Sequence, residues 1–257
     1  MKIRFVVNKD YDSRVFFSLL QGEHWESRLN GSGISKELAS KIHDARSKKE
    51  IKLAKGKFGK VVNQAYERCL PYIEKLRRLY QESWDEIIDD FSKTVAELTK
   101  PWFYDEYVCV VTHFCKGVSN WNGNVIGRTW KENPFTQRRI TAHEILLAHY
   151  FSIYRNYYSG SGLKDRQIWA LAEIAAWALT GLEPKLQKFW PWDTSGYYTD
   201  HNYPELVDLQ LKLKEPFLKR KNFDEYIKIG IKEITALHLG GGMAKVGAQN
   251  TLRVQPD

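Results

Sequence analysis

A chain of 257 residues with 43% hydrophobic content can bury a sizeable core, which excludes a disordered chain. Three cysteines, Cys69, Cys109 and Cys115, at unrelated spacings exclude a disulfide framework and point to a reducing compartment. The opening MKIRFVVNKDYD lacks the apolar core of a signal peptide, and no window approaches the roughly twenty apolar residues of a membrane span, so the expectation is a soluble, cytoplasmic protein without a membrane partner.

The net charge of +8 is concentrated. Residues 36 to 60 hold nine Lys or Arg against three acids, a local +6, so that the other 232 residues carry only +2. Such a segment is either a solvated helix face or a contact for nucleic acid or another anionic surface, with Lys48, Lys49 and Lys52 as the candidate contacts. Phe58 is the one aromatic residue interleaved among its cations.

In chain order, residues 3 to 7 (IRFVV) suit a short strand, and Ser13 is placed to cap a helix through Val15 and Leu20 that Gly22 stops. After the turn LNGSG, Ile34, Leu38, Ile42 and Ala45 recur at helical spacing, giving a helix that ends near Gly56. From Phe58 to Tyr80 the helical period resumes, and Pro71 is expected to kink or split it. Ser83 and Glu86 read as a capping box for a further helix through Phe91, Val95 and Leu98, closed by Pro101. Tyr107 to Phe114 is a β-rich run, and Val125-Ile126 follows the Asn122-Gly123 turn signal, which predicts an antiparallel hairpin. On that strand His113 and Cys115 would share a face, the beginning of a metal site or ordinary packing.

Asn133-Pro134 starts a helix that runs through TAHEILLAHYFSIYRNYY to Ser159-Gly160, and Ile168 to Thr180 forms a second, almost wholly apolar helix that Gly181 ends. An aromatic loop follows, then helices over Leu206–Leu218 and Phe223–Leu237 and a polar tail. The expected class is α+β, mostly helical, with a small antiparallel hairpin packed on two buried helices. Its division is a β-α and helical region over 1–100, a core with C-terminal helices over 101–240, and a flexible tail over 241–257, with one continuous domain as the alternative. The chain contains no internal repeat and no phosphate-binding Gly-x-x-x-x-Gly-Lys-Ser/Thr loop.

The two buried helices carry ionisable groups where a soluble protein places hydrophobes. His143 and Glu144 sit early in the first, and Glu173 is the only charged residue from Ile168 to Leu179. An unpaired carboxylate in such a run costs several kcal/mol, so Glu173 needs a partner unless it lies on a thin exposed stripe with Asp165 and Thr180. His-Glu on one helix, with a Glu on a later one after two strands, resembles the core of gluzincin-type zinc metallopeptidases over residues 104 to 180. The resemblance implies zinc as cofactor, His143 and Glu173 as ligands, Glu144 as the base that activates water, and Tyr197, Tyr198 or His201 as the donor to the developing oxyanion. The implied reaction is hydrolysis of a peptide or protein amide.

The sequence departs from that family at one position. His-Glu-x-x-His puts two imidazoles on one helix face, but residue 147 is Leu, and the next histidine, His149, lies about 120° around a regular helix from His143. Three readings follow. Zinc is held by His143, Glu173 and one of His149, His201 or a loop tyrosine, with the helix bulged if His149 is recruited; or the fold is zincin-like but degenerate, with His143 hydrogen-bonded to Glu173 and no metal; or the chain is a helical module that binds nucleic acid through residues 36 to 60.

Overall fold

The computed structural model describes residues 1–22, 25–29, 32–114, 120–198 and 206–236. They form a mostly helical α+β fold in which strand β1 (Lys2–Val6) is followed by four helices, α1 (Lys9–Gln21), α2 (Lys36–Asp44), α3 (Lys48–Asp85) and α4 (Ile88–Leu98). Three strands come next, β2 (Glu106–Thr112), β3 (Asn120–Asn122) and β4 (Val125–Thr129), and then the helices α5 (Gln137–Tyr157), α6 (Asp165–Leu182), α7 (Pro184–Gln187), α8 (Val207–Lys219) and α9 (Phe223–Thr235).

The sheet order is β1-β2-β4-β3. β1 pairs with β2, and β2 with β4, in parallel, so the run Tyr107–Phe114 does not form the expected hairpin with Val125-Ile126. The turn belongs to a shorter partner. Asn122 pairs with Val125 across the two-residue loop Gly123-Asn124, and Gly123 takes φ +58, which an unbranched backbone tolerates. β3 therefore occupies one edge of β4 in antiparallel register, leaving the other edge for β2.

Strand alternation divides the apolar residues between two faces. Val110 and Val125 meet Tyr11 and Val15 of α1 on one side, while Ile3, Phe5, Tyr107, Cys109, Val111 and Ile126 join the main core on the other. That core runs on through α3, α5, α6, α8 and α9 as one cluster from Ile3 to Ile234.

Several boundaries differ from the sequence expectation for local reasons. Asn8, not Ser13, caps α1, its side chain accepting from the Tyr11 N–H at 2.8 Å. α2 stops at Asp44, and Ser47 with Glu50 forms a capping box that starts α3, which continues through Gly56 to Asp85. Pro71 does not split α3, because Ala65 and Tyr66 before it and Ile73, Tyr80 and Trp84 after it keep the apolar face buried on both sides of the lost donor. Ser83 is no cap either: its hydroxyl donates to the Pro134 carbonyl at 2.8 Å and accepts from Arg138 Nε at 2.7 Å, while Glu86 pairs with the same guanidinium. No helix among the described residues is long and apolar enough to cross a membrane.

Candidate functional site

α5 begins at a clamp. Gln137 Oε1 accepts from Trp84 Nε1 at 3.3 Å and from Thr141 Oγ1 at 2.7 Å, and Arg138 is tied to Ser83 and Glu86 on α3. Every residue from Thr141 to Tyr150 is buried, so this stretch of the helix has no solvent stripe and sits inside the core. Its main partner is α6, whose alanines at 170, 172, 175, 176 and 178 are all buried. Small side chains allow the close packing that brings polar groups on the two helices face to face.

At this contact His143 Nε2 donates to Glu173 Oε1 at 3.2 Å, with both side chains buried. Trp177, one turn after Glu173, donates its indole N–H to the same oxygen at 2.9 Å and sets its ring 4.5 Å from the imidazole at 50°. Arg139, one turn before His143, lies 5.3 Å from the centre of the Trp177 ring. Two i,i+4 pairs, Arg139/His143 and Glu173/Trp177, thus form one polar cluster between the helices. Glu173 does not lie on an exposed stripe: it is 4% exposed, and its carboxylate is held by two N–H donors.

Arg139 and Trp177 were not singled out in the sequence. The signal was present in their spacing, since each stands four residues from a residue that was.

The remaining candidates are spread apart. α5 is α-helical throughout, without a bulge, and His149 points away to the segment before β2, where its Nδ1 accepts from the Phe103 N–H at 3.3 Å and its ring packs 4.8 Å from Trp102. Burial pushes the His149 imidazole down to about 3. Tyr198 is buried with its hydroxyl donating to the Gln210 carbonyl at 2.6 Å, and desolvation drives its phenol well above the ordinary range. Glu144 is buried beside His143 and has an interaction of its own. His201 and the side chain of Tyr197 lie outside the described part.

The aromatic stretch after Gly181 packs on the core where it is described. Phe189, Trp190 and Tyr198 are buried, and Thr194 Oγ1 donates to the Thr180 carbonyl at 2.6 Å.

His113 stands just beyond β2 with Nε2 3.8 Å from Cys69 Sγ and Nδ1 accepting from Trp130 Nε1 at 3.0 Å; Cys115 lies outside the described residues. Beside it is a second buried polar group that sequence spacing could not reveal. Asp12, fully buried on α1, accepts from the backbone N–H groups of His113 and Phe114 and from the Tyr66 hydroxyl at 3.2 Å, with partners 54 to 102 residues away. Lys48, Lys49 and Lys52 are exposed in the first turns of α3, whereas Phe58 is buried against Phe16 and Phe17.

Among the described residues, the donors at α5 and α6 do not make up a zinc site. A structural or catalytic zinc ion needs at least three protein ligands, yet among the described residues no group of three His, Cys, Asp or Glu side chains is placed to hold a metal. Leu147, buried at 3% exposure, occupies the position one turn after His143. A ligating histidine donates its second ring nitrogen to a supporting acceptor, but among the described residues the buried His143 Nδ1 has no hydrogen-bond partner. Compared with models of known protein families, with curated proteins and with solved structures, the chain matches none.

Proposed function

We propose that this chain is a zincin-like scaffold whose hydrolytic site has closed on itself, and that it acts by binding a partner rather than by turnover. The observation that carries this reading is the convergence of the His143 and Trp177 N–H groups on Glu173 Oε1 at 3.2 and 2.9 Å. The carboxylate that would serve as the second-helix ligand is already hydrogen-bonded by protein donors, and a leucine stands where the second imidazole would be. Buried polar groups of this kind persist when they are satisfied, whether or not chemistry remains.

One observation favours the hydrolase reading as the second choice. Two ligands about 2.0–2.1 Å from one tetrahedral ion lie a little over 3 Å apart, close to the His143–Glu173 separation of 3.2 Å. Elemental analysis of protein purified from zinc-replete medium and dialysed decides between them. The expected content is well below one zinc per chain, and Leu147→His, which restores two imidazoles on one helix face, raises it toward one. Stoichiometric zinc in the unmodified chain overturns the proposal and returns the peptidase reading, with Glu144→Gln as its next test.

A further inference from the structure

Parallel pairing brings the ends of β2 and β4 side by side. Thr112 lies opposite Thr129, so the residues that follow, His113 and Trp130, become neighbours, and the Trp130 backbone N–H donates to the Thr112 carbonyl at 3.2 Å. Their rings lie 6.1 Å apart at 22°. Asp12 holds the backbone of this turn by accepting from the His113 and Phe114 N–H groups. Against it α3 presents Tyr66 and Cys69, three residues apart and therefore on one helix face. The Tyr66 ring meets His113 edge-on at 6.3 Å, and Cys69 Sγ lies 3.8 Å from His113 Nε2.

The indole decides where the imidazole proton sits. Trp130 Nε1 can only donate, and it lies 3.0 Å from His113 Nδ1, so Nδ1 accepts and the ring carries its proton on Nε2. That N–H faces the sulfur. A nucleophilic sulfur carries negative charge that a thiol does not, and a charged acceptor is what such an N–H bonds most strongly. Cys69 is half-buried, whereas Cys109 is fully buried and desolvation pushes its thiol up to about 12. Of these two, Cys69 is the one a small reagent can reach.

We infer that Cys69 is a site of reversible exchange with a low-molecular-weight disulfide, with His113 donating to its sulfur and Trp130 as the positioning residue that fixes the tautomer. The Cys69 thiolate attacks one sulfur, and a mixed disulfide forms as the reagent's S–S bond breaks. The other half departs as a thiolate and takes from water a proton equivalent to the one Cys69 released. Cys69 is thereby oxidised to the disulfide level and half of the reagent is reduced to a thiol. The leaving group selects this electrophile. A thiolate departs unaided, its thiol having a pKa of about 8.5, whereas a peroxide expels a far more basic oxygen that needs a proton at once. The ring at the sulfur is a neutral imidazole whose N–H bonds without yielding its proton, and the Tyr66 hydroxyl is turned to Asp12. Half-burial of Cys69 selects a small disulfide over one carried by a folded protein. This inference rests on α3 and the sheet and stands whether or not the His143 site binds metal.

The test is the rate at which uncharged hydroxyethyl disulfide modifies Cys69 in the full chain, read by peptide mapping at fixed pH. The comparison is a free peptide of residues 66 to 72, YERCLPY, which keeps the local charges and lacks His113. Cys69 in the folded chain is expected to react about tenfold faster than the peptide, and His113→Phe to lose that advantage. His113→Gln, whose amide can still donate, is expected to keep part of it. Labelling of buried Cys109 reports any variant that has unfolded, and if His113→Phe does so, His113→Gln against the parent and the peptide decides. Hydrogen peroxide is expected to oxidise Cys69 no faster than the peptide. A Cys69 rate no higher than the peptide's, a folded His113→Phe that reacts like the parent, a His113→Gln as fast as the parent or no faster than the peptide, or an advantage toward peroxide as large as that toward the disulfide overturns the inference.

Discussion

Removing one member of the His143–Glu173 pair does not cost the same as removing the other. In His143→Leu, the Glu173 carboxylate stays buried with only the Trp177 indole left of its two donors. A buried charge stripped of its partner costs about 3–5 kcal/mol. In Glu173→Leu the group left behind is an imidazole N–H, whose lost hydrogen bond costs about 1–3 kcal/mol, and Trp177 is half-buried and can turn its N–H toward water. The double variant buries neither charge nor orphaned imidazole, so adding Glu173→Leu to His143→Leu is expected to restore stability.

The assay is urea and thermal unfolding of all four proteins at neutral pH with EDTA present. For a chain of this size about 1 kcal/mol shifts Tm by roughly 2–4 °C, so His143→Leu should melt about 6–20 °C below the parent. The double variant should recover much of that loss, with a coupling of about 0.5–3 kcal/mol. Additive losses within about 0.5 kcal/mol refute the reasoning. So does a parent protein whose Tm falls on adding EDTA, because stability would then reside in a metal rather than in the pair.

His149 provides a pH test. Its folded pKa of about 3 lies below the unfolded value near 6.5, so between these values the unfolded chain binds a proton that the native state refuses, and stability falls on acidification by at most about 1.4 kcal/mol per pH unit. His149→Asn, whose side-chain oxygen can still accept from the Phe103 N–H, should flatten urea-unfolding stability between pH 6 and 4; equal slopes in both proteins would count against the burial argument. Asp12→Ala should cost about 3–5 kcal/mol in the same assay, since two backbone N–H groups and the Tyr66 hydroxyl lose a buried acceptor, and a loss below about 1 kcal/mol would contradict it. Gly56→Ala and Gly59→Ala should each stabilise the chain by about 0.5–1 kcal/mol, because both open onto space within a helix, and a destabilisation would show an unrecognised contact.

The helices were legible because burial writes a period into the sequence. Ile168 to Leu179 is apolar on nearly every side, and its helix is buried on nearly every side. Leu206–Leu218 and Phe223–Leu237 came within two residues of α8 and α9, with Leu237 itself outside the described residues. What failed was information that no local window holds. Tyr107–Phe114 and Val125-Ile126 were read as strands, but their direction depends on β3, a three-residue strand too short to announce itself, which takes the edge of β4 that the hairpin would have used. Ser83 has the spacing of a cap, yet its hydroxyl is taken by Pro134 and Arg138, more than fifty residues away. A short side chain offers one oxygen, and the tertiary claim on it won.

The same distinction governs the candidate site. An isolated carboxylate in an apolar helix requires a partner, and Glu173 has one in His143, thirty residues earlier in the sequence. The physics of burial fixes that a partner exists, but not its kind. A cation, an imidazole and an indole N–H all satisfy a carboxylate, and the chain supplies the last two on the turns where helix geometry delivers them. Trp177 at i+4 from Glu173 supplies the second donor to its carboxylate. A carboxylate already satisfied by two protein donors gains less from a metal than one left bare, so the residue that a zinc reading overlooks is also the one that makes zinc least necessary.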